Sequence, residues 1–173
     1  DNGIAAMALA QLAGVSADEI RKGMLSFGGV DRRFDFHVRR SDMVYISDYA
    51  HHPEEIRQSI LSIKQLYAGK RIKAIFQPHL YSRTQDFYRE FADALSLLDD
   101  VVIMDIYPAR EEPIPGVTSD LIFDNLRSGI KKQLCTKSTI MDSIREKDFD
   151  VLVTLGAGDI ENFADEISDF LTK

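Results

Sequence analysis

A single cysteine, Cys135, has nothing to pair with inside the chain, so an internal disulfide framework is excluded. Such usage is consistent with a reducing compartment. No apolar run is long enough to span a bilayer. The first residues lack the basic leader of a secretory signal. They also lack an initiating Met and begin inside a helical pattern, so the chain is expected to be part of a longer protein. Positive charge is in the minority: 21 Lys and Arg against 28 Asp and Glu give a net charge of −7. That balance argues against general binding to nucleic acid or anionic membranes, while leaving room for a local basic pocket. Repeats, low-complexity segments and long like-charge runs are absent. So is a GxxxxGK[ST] phosphate loop; if ATP is used, its triphosphate must be held mainly by residues outside this chain. HxH and HExxH spacings are missing too, which counts against a protein-only metal site built on His51, His52 and His79.

What is present suffices for a packed core. A chain of 173 residues buries roughly 70% of the surface its unfolded form exposes, and needs no metal or disulfide to hold it. Two helices open the sequence. Ile4 to Ala13 is rich in alanine and is stopped by Gly14. Ser16 then caps a second helix, with Glu19 at the capping-box position, ending near Phe27-Gly28-Gly29. After Val30 the pattern changes. Phe34–Arg40 and Met43–Ser47 alternate as strands around a Ser41-Asp42 turn. Helix and strand patterns then alternate. A helix follows Pro53 to about Tyr67, and Ile72–Phe76 is a strand. An amphipathic helix spans Gln85–Leu98, and Val101–Met104 is a strand buried on both faces. Leu121–Leu126 reads as a helix, Gln133–Thr136 as a strand, Ser138–Glu146 as a short helix. Val151–Leu155 is a buried strand, and Asp159–Leu171 the last helix. This order predicts an α/β fold: a mostly parallel, Rossmann-like sheet with helices on both faces and one antiparallel edge hairpin, preceded by two helices. Residues 1–30 are expected to be the end of a preceding domain, and residues 31–173 a domain of their own.

The polar residues gather where strands end. Asp48-Tyr49-Ala50-His51-His52-Pro53, Gln77-Pro78-His79 and Asp105-Ile106-Tyr107-Pro108 each follow a strand. Carboxyl ends of strands are where open α/β sheets bind ligands. A plainer reading has one histidine of the His51-His52 pair capping the helix and the other packing. Arg83 lies near a helix N-terminus, where the dipole prefers anions. It fits either a carboxylate or phosphate, held by its forked guanidinium, or a surface pair with Asp86 or Glu90. The proline-stiffened loop from Asp105 to Gly116 has the length of a functional loop. Gly156-Ala157-Gly158-Asp159 has the look of a phosphate turn without the third glycine of GxGxxG; a tight turn of purely structural use fits as well. Arg32-Arg33 can meet anionic oxygens or sit in a solvated linker.

Taken together and in register, Asp48–Pro53, Phe76–His79, Ser82-Arg83-Thr84, Asp105–Glu111 and Gly156–Asp159 resemble the C-terminal part of the UDP-N-acetylmuramate–L-alanine ligases. These are a branch of the Mur ligase family of bacterial peptidoglycan synthesis. Asn2, Ala5–Ala10, Gly29-Val30 and Arg32-Arg33-Phe34 resemble the end of that family's central ATPase domain and its junction with the third domain. The resemblance implies a cytoplasmic, ATP-dependent amide-bond ligase. ATP phosphorylates the muramic acid carboxylate, and the amine of L-alanine attacks the acyl phosphate. It places Asn2, Arg33 and Asp48 at the nucleotide, and Tyr49, His51, His79 and Arg83 around the amino acid, with His51 and His79 as catalytic candidates. Mg2+ and the phosphate loop belong to upstream parts of such enzymes, so this chain alone is expected to be inactive. Many members carry Arg where this chain has Leu80, which shifts carboxylate recognition onto Arg83. The chemistry of the residues agrees: an amino-acid nucleophile needs a cation for its carboxylate, which Arg83 offers. It also needs an acceptor for its ammonium proton, which a neutral His51 or His79 offers. The alternatives are a murein-peptide ligase acting on the same UDP-sugar, a non-catalytic nucleotide or amino-acid binding module, and a metal hydrolase.

Overall fold

Two helices come first and form a unit of their own, ending at Val30. The computed structural model describes residues 2–173, the side chain of Asn2 excepted. Helix α1 spans Asn2–Leu12 and α2 spans Ala17–Ser26. The capping box at Ser16 is formed. Ser16 Oγ accepts from the Glu19 N–H at 3.4 Å, and the Glu19 carboxylate accepts from the Ser16 N–H at 3.0 Å. No residue of α2 is buried.

The second unit, Asp31–Lys173, is built on a sheet. Its strands are β1 (Asp35–Arg39), β2 (Val44–Asp48), β3 (Ile72–Phe76), β4 (Asp100–Met104), β5 (Lys131–Cys135) and β6 (Val151–Leu155). They lie in the order β1-β2-β6-β3-β4-β5, so the last strand in the chain is one of the innermost in the sheet. Every residue of β6 is buried, as its unbroken apolar run requires of a strand covered on both faces. It pairs in parallel with β2 on one side and β3 on the other. Only β1 runs antiparallel, against β2, and the Arg40 N–H closes that hairpin on Met43 O at 2.9 Å.

Strand alternation divides the core into two layers. Ile46, Phe76 and Val153 face α3 (Pro53–Leu66), α4 (Tyr81–Leu95) and α5 (Asp120–Asn125), whose Ile56, Ile60, Ile63, Phe91, Leu95 and Ile122 are fully buried. Tyr45, Ile75 and Leu152 face the opposite layer. That layer consists of α6 (Ala164–Thr172) and two 3₁₀ segments, Met141–Ile144 and Asp159–Phe163, with Ile144, Ile160 and Ile167 at the contact. Each such side chain contributes about 1.5–3 kcal/mol through burial.

The α/β alternation, the parallel sheet and the antiparallel hairpin agree with the sequence reading; several bounds do not. Helix α4 starts at Tyr81, not Gln85, because Leu80 O accepts from both the N–H and the hydroxyl of Thr84, at 3.1 and 2.8 Å. Strand β5 begins two residues earlier than its apolar pattern suggests and is an edge strand, mostly exposed. The expected helix over residues 138–146 reduces to a single 3₁₀ segment. The last helix is preceded by 3₁₀ geometry over Asp159–Phe163. Ser119 stands at the N-cap position of α5 but sends its hydroxyl to Met104 O at 2.5 Å, tying the helix to the end of β4 instead of capping it.

Candidate active site

Because β2, β3 and β4 share one direction, their carboxyl ends reach the same rim. Strand β6 lies between β2 and β3. Their end groups still converge, because the chain leaving β6 stays low. Gly156 N–H donates to Asp48 O at 3.1 Å on the β2 side, and Gln77 N–H donates to Leu155 O at 2.9 Å on the β3 side. A Cβ on Gly156 would stand 2.7 Å from Gln77 O, and one on Gly158 would stand 2.2 Å from Gln77 Oε1 and 2.8 Å from Tyr107 Cβ. The two glycines thus let the turn lie flat against Gln77. Gln77 is itself fixed: its Nε2 donates to Asp159 at 2.7 Å and its Oε1 accepts from the Ile160 N–H at 2.9 Å.

Over this turn runs a row of side chains. The Arg32 guanidinium lies 4.9 Å from the Tyr49 ring centroid, and the Tyr49 and His51 rings are 5.2 Å apart. His51 and His79 are 6.1 Å apart, and His79 stacks on Tyr107 at 5.7 Å. Arg32 also donates to Gly158 O at 3.3 Å, so it braces the row from the turn.

Beginning α4 at Tyr81 puts Arg83 four residues past His79, on the same side. Arg83 Nη1 lies 3.2 Å from His79 Nδ1. Among the described residues Arg83 forms no ion pair, so the surface pairing with Asp86 or Glu90 is not made. Between the two residues, Leu80 adopts φ 74°, ψ 136°, a conformation that L residues rarely take and that costs about 1–3 kcal/mol. It is held by the Leu80 N–H on Tyr107 O at 2.9 Å and the Tyr107 N–H on Pro78 O at 2.8 Å. Glu111, from the loop after β4, accepts from the Ser82 hydroxyl at 2.5 Å and the Ser82 N–H at 3.0 Å. Those bonds hold its carboxyl below the usual range. Burial pushes His79 below its ordinary value, and the Arg83 cation and His51 push the same way against Glu111.

Beside this row is a cleft of about 170 Å³ lined by Arg33, Asp48, Tyr49, Ala50, His51 and Glu55. His51 Nδ1 donates to Tyr49 O at 3.0 Å. The Glu55 carboxylate accepts from the N–H groups of His51 and His52, at 3.0 and 3.2 Å. His52 occupies the N-cap position of α3 without a side-chain cap bond and packs 5.2 Å from the Phe87 ring. The Asn2 side chain, expected at the nucleotide, lies outside the described residues. Among the described residues no group of three or more His, Cys, Asp or Glu side chains is placed to hold a metal ion. In the sequence, Arg32, Tyr107 and Glu111 were parts of candidate motifs with no contact of their own assigned, and Glu55 was not singled out. Glu55 carried a local signal, its place three residues after the N-cap; the others depend on tertiary contacts.

The family model described as Mur ligase, glutamate ligase domain, matches residues 32–167. The chain belongs to the Mur ligase family. The UDP-N-acetylmuramate–L-alanine ligase of Phocaeicola vulgatus is 60% identical over 173 residues, 100% of this chain and 38% of that protein. Its counterpart in Porphyromonas gingivalis is 48% identical over 172 residues, 99% of this chain and 38% of that protein. Among solved structures, the UDP-N-acetylmuramate–alanine ligase of Thermotoga maritima superposes with a TM-score of 0.77 at 28% identity, covering 99% of this chain and 37% of that one. A murein peptide ligase from Psychrobacter arcticus gives 0.67 at 22% identity, covering 98% and 36%, a likeness of fold. This Mur ligase chain therefore spans a little over a third of the length of those curated relatives. Among the described residues no helix is long and apolar enough to cross a membrane.

Proposed function

We propose that this Mur ligase chain is the C-terminal part of an ATP-dependent, cytoplasmic ligase that joins L-alanine to UDP-N-acetylmuramate. The observation that carries the reading is Arg83: a half-buried guanidinium with no carboxylate partner among the described residues, set against His79 and beside the His51–Tyr49 cleft. A cation so placed suits the carboxylate of a small amino acid. His51, His79 and Tyr49 surround the amino acid; Arg33 and Asp48, with Asn2, serve the nucleotide. That relatives 48–60% identical over nearly all of this chain are alanine-adding ligases supports the smaller substrate. Among the described residues no group of three or more donor side chains is placed for magnesium, and its ligands are expected in other parts of the full-length protein. Phosphate release that depends on both UDP-N-acetylmuramate and L-alanine is expected from the full-length protein. None above blank is expected from the 173-residue chain, since phosphoryl transfer needs a phosphate cradle that it lacks. Turnover by the chain itself, or full-length turnover indifferent to alanine, would sink the reading.

The first two helices fit the end of the ATPase domain. Leu12, Leu25 and Phe27 are exposed, and nothing in α2 is buried, as expected of helices that need further chain to cover them. Residues 31–173 produced alone should therefore unfold in one cooperative transition with the midpoint of the whole chain. A midpoint lowered by several degrees would show the helices to be part of the same folding unit.

A further inference from the structure

We propose that the two rim histidines divide the work: His51 is the base toward the incoming amine and Glu55 its positioning residue, while His79 joins Arg83 in holding the carboxylate. This rests on the ligase reading and adds to it the path of the proton. Two hydrogen bonds carry the assignment, because in each the partner has a fixed role. A guanidinium only donates, so the 3.2 Å contact from Arg83 makes His79 Nδ1 an acceptor and puts the proton of the neutral ring on Nε2. A carbonyl only accepts, so the 3.0 Å contact to Tyr49 O makes His51 Nδ1 the donor and leaves Nε2 with a free lone pair.

The charges around the rings point the same way. His51 faces Glu55 from α3, Asp48 and Tyr49 from the end of β2, Arg33 from the segment before β1, and His79 across the turn. Glu55 Oε2 is 3.5 Å from His51 Nδ1, where a carboxylate steadies the ring and favours the tautomer with its proton on Nδ1. Burial raises the Glu55 carboxyl, but the two backbone N–H groups and the neighbouring imidazoles outweigh it and keep the group ionised. His79 faces Arg83 from α4, Glu111 from the loop after β4, Tyr107 and His51; burial and the Arg83 cation hold it neutral. In becoming an amide nitrogen, the ammonium sheds two protons. His51 Nε2 takes the first, which frees the pair that forms the C–N bond. The C–O bond to phosphate breaks with its pair on phosphate, which takes the second proton, and the imidazolium returns its own to solvent.

The test uses the full-length protein across pH, with alanine, ATP and the UDP-sugar varied separately. His51→Gln should lose about 10²–10³-fold in kcat at neutral pH and recover as rising pH supplies free amine, with alanine KM little moved. His79→Gln should raise alanine KM and leave kcat within a few-fold. Glu55→Gln keeps an acceptor for both N–H groups. It should lower kcat about tenfold without moving alanine KM, and Glu55→Asp should recover part of that loss, because a carboxylate and not merely an acceptor orients the ring. A residue that only braced the fold through its two backbone bonds would leave kcat in place in Glu55→Gln. The reverse split between the histidines, an equal loss in both, or an unmoved kcat in Glu55→Gln overturns the assignment. A wild-type protein with no alanine-dependent turnover overturns the ligase reading, and the division of labour with it.

Discussion

Gly158→Ala should destabilise the α/β unit by about 2–5 kcal/mol. That range combines overpacking with the loss of a buried hydrogen bond. The added methyl would meet Gln77 Oε1 at 2.2 Å and Gln77 Cδ at 2.9 Å. A free glutamine would swing aside, but this one is 1% exposed and bonded at both ends of its amide. Moving it strands the Ile160 N–H in the interior. Gly156→Ala should be at least as costly, since φ 142° and the approach to Gln77 O both oppose a side chain. At about 2–4 °C per kcal/mol, either change should be plain in a melting curve. Gly69→Ala is the control: φ is 77° there but nothing lies within 4 Å, so only the backbone term of about 1–2 kcal/mol applies. If all three substitutions cost the same, contact with Gln77 is not what keeps the turn glycine.

Arg83→Ala should raise the alanine KM of the full-length enzyme steeply and leave those for ATP and the UDP-sugar nearly unchanged. Truncating one side of a buried, charge-assisted contact costs about 2–4 kcal/mol, which is roughly thirty-fold to a thousand-fold in binding. An exposed ion pair would contribute at most about 1 kcal/mol, and Arg83 makes none among the described residues. Leu80 supplies no second cation, so little compensation is expected. If alanine KM stays put, or all three constants rise together, Arg83 does not anchor the carboxylate.

The layout of the α/β unit was legible because its signals are local. Alternation marked β1 and β2, unbroken apolar runs marked β4 and β6, and the spacing of Ile56, Ile60 and Ile63 marked α3. The order of strands was not, because nothing near Val151 says that it will pair with Val44 and Ile72. Helix α4 was read four residues short for a related reason. Its first turn is fixed by Glu111, 29 residues away from Ser82, and by a Leu80 conformation that no propensity scale favours. The rim was visible as polar strings at strand ends, yet the sequence left Gly156 and Gly158 open between phosphate cradle and tight turn. Only the position of Gln77 supplies a reason for both. Arg32 stayed undecided because an Arg-Arg pair looks the same whether it is solvated or lies over a tyrosine ring.

The place of β6 also bears on how the molecule comes into being. During synthesis β2, β3 and β4 are made long before the strand that joins them, and more than a hundred residues separate Val44 from its partner Val151. Closing such a loop is slow compared with forming α3 or α4. Until it closes, β2 with its hairpin and β3 with β4 are two half-sheets with open edges, the kind of intermediate that aggregates or recruits chaperones. A premature stop ahead of Val151 would remove the seam between the halves rather than trim a margin, and the rim carrying His51 and His79 would never be assembled.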